Sequence, residues 1–190
     1  MIEKCKTKQD NIKDYHSQDC ISASGLKLIY QKSVGHYIKK QYKKTPAMIL
    51  GVQVHDILQL GLTEFHNIYY VLPKLDMRLK ENKLFIEDLK QKNLGKTEIS
   101  NDNYAICLEL YTNAKNSEIV APYLEGIHEL SHYGEYKGVK IRVRPDTIGK
   151  GWISDIKTCQ DNSPYRFKST INNYAYHVQA VFYCDMLNFD

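Results

Sequence analysis

Near residue 127 the spacing of apolar residues changes from steps of three and four to steps of two, and this switch limits the folds open to the chain. Val139, Ile141 and Val143 alternate with Lys140, Arg142 and Arg144, the pattern of a strand with one core face and one basic face. Lys137-Gly138 suits a tight turn, so 127–136 and 139–144 read as a hairpin. Gly149-Lys150-Gly151 forms the next turn, and Trp152 to Thr158 reads as a third strand. Upstream the helical period dominates. Ser24 and Ser33 are candidate N-caps of two short helices, and Pro46 opens a longer one with Ala47, Leu50, Gly51, Val54, Leu58 and Leu62 on one stripe. Asn67 to Leu72 reads as a strand ended by Pro73. A charged helix over Met77 to Asn93 stops at Gly95, and another follows Ser100 with Tyr104, Cys107, Leu108, Tyr111 and Ala114 on one face. Ser163-Pro164 begins a short helix, and Tyr174 to Leu187 a longer one with Val178, Phe182 and Met186 four apart. The expected fold is mixed α/β (α+β), with a small sheet flanked by helices.

Composition narrows the function classes. The 190 residues are 43% apolar and 25% charged, enough to bury a core. No linker or repeat divides the chain, so the expectation is a polar leader at 1–20 and one domain at 21–190. No apolar run approaches the roughly 18 residues of a membrane helix, and Met1 to Lys13 is polar rather than signal-like. A soluble, cytoplasmic protein is expected. Cys5, Cys20, Cys107, Cys159 and Cys184 are odd in number, far apart and without a Cys-x-x-Cys pair, which reads as free thiols. The net charge of +4 is unevenly spread: from Cys20 to His55 there is no acid, while Lys27, Lys32, Lys39, Lys40, Lys43 and Lys44 are all basic. Such a stretch can meet phosphates or simply solvate helix surfaces.

Chemistry concentrates around the third strand. Asp155 and Lys157 are two residues apart and leave the same face of a strand, and Asp146 lies just past the end of the neighbouring strand. If the glycine turn pairs the two strands, two carboxylates and an ammonium meet at one end of the sheet. Carboxylate oxygens suit Mg²⁺ or Mn²⁺, and a lysine beside such a centre can stabilise negative charge developing at phosphorus. The acid-x-Lys triplet alone is uninformative, since it occurs at Glu81, Asp88, Glu135 and Asp155. Asp155 differs in its apolar strand neighbours Trp152, Ile153 and Ile156, with Pro145-Asp146 upstream; a plain salt bridge on a solvated sheet is the alternative.

The runs Arg144-Pro145-Asp146, Ile153-Ser154-Asp155-Ile156-Lys157-Thr158 and Tyr174 to Tyr183 with Gln179 resemble the PD-(D/E)xK nuclease superfamily, within it the RecE-type exonucleases (exonuclease VIII) of phages and prophages. Ser22-Ala-Ser24-Gly-Leu26-Lys27 and Ala47-Met48 through Gly51 to His55 are similar to that family's opening helix and its Gly-x-x-x-His helix. The resemblance runs from Ser22 to Leu187 and is weakest between Pro73 and Tyr123. It implies a restriction-endonuclease-like core. It further implies that Asp146, Asp155, the Ile156 carbonyl and His55 ligate metal, that Lys157 serves the attacking water, and that Glu129, Gln179 and Tyr183 complete the catalytic set. For Glu129 the competitors are Glu125 and Glu135. Arg142 and Arg144 on the basic strand face, with Lys39, Lys40, Lys43 and Lys44, are the candidate DNA contacts.

What the resemblance implies functionally is a Mg²⁺-dependent (or Mn²⁺-dependent) exodeoxyribonuclease acting on double-stranded DNA ends in phage-type recombination, without an iron–sulfur cluster. The alternative is a remnant that binds DNA or a partner protein without catalysis. A single-strand annealing protein is an expected partner. Relatives continue past the Gln-x-x-x-Tyr helix, so the C-terminal part reads as truncated at Asp190. Family analogy gives a homo-tetramer, whereas a chain ending there is expected to be monomeric or poorly processive.

Overall fold

The computed structural model describes residues 2–41 and 43–189, without the side chains of Lys4 and Cys5. In chain order the first elements are β1 (Glu3–Lys8), α1 (Ile12–Ser17), β2 (Ile21–Ser22), α2 (Ala23–Gln31) and α3 (Val34–Ile38). Next come α4 (Pro46–Ile68), β3 (Tyr69–Leu72), α5 (Lys80–Lys92), β4 (Thr97–Ser100) and α6 (Asn101–Lys115). The chain ends with β5 (Ile127–His128), β6 (Ser131–Tyr136), β7 (Val139–Val143), β8 (Thr147–Gly149), β9 (Trp152–Ser154), α7 (Pro164–Asn173) and α8 (Tyr176–Leu187). The architecture is the expected mixed α/β. These elements fall into two compact units: one holds the residues up to Lys43 and those from Tyr123 onward, the other Lys44–Pro122.

The first unit carries two small sheets. One has the order β1-β6-β7-β2, with β2 parallel to β7 and the other pairs antiparallel. The β6–β7 hairpin turns at Lys137 and Gly138, both at positive φ (48° and 80°), the geometry whose twist matches the flanking strands. The other sheet is β5-β8-β9, with Thr147 opposite Ser154 and Gly149 opposite Trp152. Ile141 and Val143 of β7, Ala23 of α2, and Phe182, Tyr183 and Met186 of α8 form the buried core, joined by Ile21, Leu26 and Ile153.

Several local expectations change. The expected strand 127–136 is broken into β5 and β6 because Glu129 turns into the left-handed region (φ 50°). The third strand stops at Ser154, so Asp155 to Lys157 follow it as extended chain. Ser22 rather than Ser24 caps α2: its Oγ accepts the Gly25 N–H at 3.3 Å, while Ser24 lies in the first turn. Ser33 caps α3, as its position predicts. The polar leader folds as well. Glu3–Lys8 adds an edge strand to β6, and beside it buried Asp10 accepts from Lys8 Nζ at 2.8 Å and from the Tyr133 hydroxyl.

In the second unit α4 starts on Pro46 with Thr45 as its side-chain cap, and it bends at Gly61 (φ 76°). It continues to Ile68, so the predicted strand at Asn67 begins only at Tyr69. β3 pairs in parallel with β4, a short strand whose sequence Thr-Glu-Ile-Ser shows no strong pattern. Val54, Ile57, Phe65, Tyr69, Ile99 and Cys107 are buried, with Phe65 stacked on Tyr69 at 4.5 Å between ring centroids. Among the described residues no helix is long and apolar enough to cross a membrane, and Cys20, Cys107, Cys159 and Cys184 are free. The thiol of Cys5 lies outside the described side chains.

Gly126 offers a test of the β5–β8 pairing. A Cβ there would sit 2.5 Å from the Ile148 carbonyl oxygen, a backbone atom that cannot swing aside. Gly126→Ala should lower stability by about 1–3 kcal/mol, read as a fall in thermal midpoint; an unchanged midpoint would show that the pairing is not tight.

Candidate active site

The hairpin and the glycine turn bring Asp146, between β7 and β8, beside the segment that leaves β9. The Asp146 carboxylate accepts the Ile156 backbone N–H at 2.6 Å, which ties it to the peptide that follows Asp155. Lys157 reaches back over one residue so that its Nζ contacts Asp155 Oδ2, and it lies 3.4 Å from the Ile156 carbonyl. The shared face expected from the i, i+2 spacing is therefore realised although no strand hydrogen bonds extend this far.

Helix α8 closes the site from the opposite side. It begins at Tyr176, after Ala175 in the left-handed region (φ 50°), and Gln179 lies in its first turn. Buried Gln179 donates from Nε2 to Asp155 Oδ1 and to the Tyr183 hydroxyl, both at 2.9 Å. The Tyr183 hydroxyl in turn donates to the Arg144 carbonyl at 3.3 Å. Burial, with the nearby Asp146 charge, pushes that phenol far above its ordinary value, so it stays a protonated donor. Gln179 thus contacts the Asp155 carboxylate directly, and Tyr183 braces it through the amide.

Glu129 enters through its strained backbone. Its N–H donates to the Asp146 carbonyl at 3.2 Å, and its carboxylate meets Arg144 Nη2 at 2.5 Å. Glu129 lines the same cleft as Asp146 and Asp155, whereas Glu135 lies on β6 opposite Glu3, and Glu125 is exposed and absent from the cleft wall. A non-glycine residue at positive φ stores strain that the surrounding hydrogen bonds must hold.

The cleft has a volume of about 300 Å³ and is walled by Glu129, Asp146, Asp155, Lys27, Lys157 and Arg144, with Tyr15, Gln179 and Tyr183. Carboxylates and cations therefore face one space. Burial holds the Lys157 ammonium below its ordinary value, with Asp146 opposing that shift and Lys27 adding to it. The Arg144 side chain is only 8% exposed, its guanidinium lies 5.6 Å from the Tyr15 ring centroid, and its Nε and Nη1 are buried with no hydrogen-bond partner among the described residues. A buried guanidinium with two unpaired donors is costly unless an anion completes it.

The sequence resemblance implies a divalent cation, which needs oxygen donors at this cleft. Among the described residues no group of three or more His, Cys, Asp or Glu gathers tightly enough to hold an ion. Mg²⁺ does not require one, since it keeps several waters and commonly takes only one or two carboxylates plus substrate oxygens. Asp146 and Asp155, joined through the Ile156 peptide, and the Ile156 carbonyl are hard oxygen donors of that kind. The donor set fits.

Arg142 is buried, not on a solvated basic face: its guanidinium donates to the Gln18 carbonyl and packs 4.7 Å from the Tyr15 ring centroid, anchoring α1. The strand face read as basic is covered by the folded leader, which alternation alone does not reveal. His55 lies on α4 of the second unit, half-buried, with Nδ1 3.7 Å from Asp56 Oδ1. Lys39, Lys40, Lys43 and Lys44 are exposed and follow α3 in irregular chain rather than on a helix face, Lys40 lying 4.5 Å from the Tyr37 ring centroid. Tyr15, His16 and Lys27 line the cleft as well. Tyr15 and His16 sit in the leader and carried no signal, while Lys27 was one lysine in a basic run.

Residues 22–190 match the profile of a family described as "PDDEXK-like domain of unknown function (DUF3799)". The chain belongs to this PDDEXK-like family. Its fold is also similar to a crystal structure from Eubacterium rectale described as "Putative exonuclease", with a TM-score of 0.56 and 19% identity over 95% of this chain and 68% of that one. No curated protein matches the sequence. The PDDEXK-like chain therefore carries a nuclease fold, and the acid-x-Lys element at Asp155 is the one that this fold surrounds with Asp146, Gln179 and Tyr183.

Arg142 yields a prediction because its role moved from the surface to the core. Arg142→Leu should cost about 1–3 kcal/mol, since it leaves the Gln18 carbonyl without its donor. Lys140→Gln, on the exposed part of the same strand, should stay within about 0.5 kcal/mol of the parent. Equal denaturation midpoints for the two variants would show that Arg142 is not an anchor.

Proposed function

We infer that this PDDEXK-like protein is a metal-dependent deoxyribonuclease, of the RecE-type exonuclease kind, that hydrolyses phosphodiester bonds at double-stranded DNA ends. The observation that carries the reading is the single cleft in which Asp146 and Asp155 face Lys157 and a buried Arg144 with unpaired donors. Paired carboxylates next to a buried cation match the demands of phosphoryl transfer, where charge builds on oxygens around phosphorus. PDDEXK nucleases generally use divalent metals; a bound Mg²⁺ or Mn²⁺ held by Asp146, Asp155 and the Ile156 carbonyl would supply Lewis-acid neutralisation of that charge.

The chain's own groups divide the remaining work. Asp155, steadied by Gln179, presents its carboxylate at a fixed angle. Lys157 holds and orients a water against the scissile phosphate and offers positive charge to the oxygens as the bond to the leaving oxygen breaks. Arg144 offers Nε and Nη1 to a phosphate oxygen pair while Glu129 holds its third nitrogen. The Tyr183 hydroxyl, kept protonated by burial, holds the strand end at Arg144 in register with α8.

Metal-dependent degradation of linear duplex DNA, with closed-circular DNA spared and chelator abolishing the loss, is the expected result. Asp155→Asn and Lys157→Ala should each lower the rate by about a hundredfold or more with the fold intact. Glu81→Gln and Asp88→Asn, in the other acid-x-Lys triplets, should be silent. Full activity in either site variant would refute the assignment, and DNA binding without cleavage in the parent would favour a non-catalytic binder.

Phosphate contacts carry no base information. Reversing the charges of Lys39, Lys40, Lys43 and Lys44 together should therefore weaken DNA binding equally across sequences and flatten its dependence on salt. Unchanged binding would show that these exposed lysines only solvate the chain.

A further inference from the structure

We propose that Lys27 is a positioning residue for Asp155, acting through the side-chain amide of Gln179. This rests on the nuclease reading above and adds to it a residue that neither the acid-x-Lys element nor the Gln-x-x-x-Tyr element contains. Of the six lysines between Cys20 and His55, Lys27 alone is half-buried and lines the cleft; Lys32, Lys39, Lys40, Lys43 and Lys44 are exposed. Its Nζ donates to Gln179 Oε1 at 2.7 Å, a bond between α2 and α8 across 152 residues of chain.

The bond helps to fix which way a two-sided group points. A Gln amide has an acceptor end and a donor end of nearly the same shape, and either can face a given neighbour. An ammonium can only donate, so Lys27 requires Oε1. A carboxylate can only accept, so Asp155 requires Nε2. The Tyr183 hydroxyl donates its proton to the Arg144 carbonyl and therefore also requires Nε2. All three neighbours select one orientation. Without Lys27 the buried Oε1 loses its donor, and rotating the amide becomes less costly. Asp155 Oδ1 then loses a fixed partner while Lys157 still holds its Oδ2.

Lys27 is tied down as well. Its Nζ sits 5.3 Å from the Tyr176 ring centroid, and Lys157 Nζ sits 5.4 Å from the same ring. One aromatic ring thus steadies both ammonium groups at cation–π range. The rival role for Lys27 is direct contact with substrate phosphate, which would act on binding and not through Gln179.

A double-mutant cycle separates the two roles. Lys27→Met should lower kcat about tenfold with KM for linear duplex nearly unchanged, and Lys27→Arg, which keeps a donor, should restore most of it. In a Gln179→Leu background, adding Lys27→Met should change kcat by less than about twofold, because its route of action is already gone. Independently of turnover, the Gln179 Nε2 protons should exchange slowly with solvent in the parent and measurably faster in Lys27→Met, read by NMR. A raised KM at constant kcat, or losses that multiply in the Gln179→Leu background, would overturn the proposal in favour of a phosphate contact. A parent protein without nuclease activity would end the functional reading instead; amide exchange alone then decides, and equal exchange in parent and Lys27→Met overturns the clamp.

Discussion

The site depends on one buried amide. Gln179 receives Lys27 on its oxygen and delivers its nitrogen to Asp155 and Tyr183, so helix α2, helix α8 and the chain beyond β9 meet at a single side chain. Every polar atom of that amide has a partner of the only type it can use, and a fully satisfied buried network is stiff where a half-satisfied one is a liability. The acidic and basic groups around it are thereby held at short range. Left to their own flexible stems, a lysine and an aspartate two residues apart would sample many geometries and contribute little.

Burial raises the stakes for each charge. Arg144 has one nitrogen on Glu129 and two with no hydrogen-bond partner among the described residues, and Lys157 sits against Asp155 inside the same cleft. Desolvating such groups is costly, and in a structure selected for stability alone an apolar packing of the same volume does as well or better. Charges retained at this cost, together with a glutamate held at positive φ, are what a site built for an anionic ligand contains. Membership of the PDDEXK-like family and the likeness to a solved fold supply the frame in which these residues sit.

Much of the architecture was legible from periodicity. The β6–β7 hairpin at Lys137-Gly138, the β8–β9 turn and the helices opened by Pro46, Ser100 and Pro164 form where spacing and capping chemistry put them. Failures cluster where tertiary contacts override local pattern. Glu3–Lys8 has no apolar alternation and becomes a strand only because β6 offers an open edge and Asp10 secures the exit. The break at Glu129 follows from its hydrogen bond to the Asp146 carbonyl, a residue in another strand connection.

By itself the sequence determined the residue types and their spacing: Asp155 two before Lys157, Pro145-Asp146 upstream across a glycine turn, and Gln179 four before Tyr183 on one helix face. Backbone geometry converts such spacings into shared faces without help from the rest of the molecule. Only the tertiary structure decided that Arg142 anchors a helix while Arg144 lines the cleft, that Glu129 rather than Glu125 or Glu135 lines it, and that Lys27 alone of the basic run turns inward. Those choices depend on which distant segment packs over which side chain. Burial and hydrogen-bond partnership are properties of the folded whole, and no local pattern encodes them.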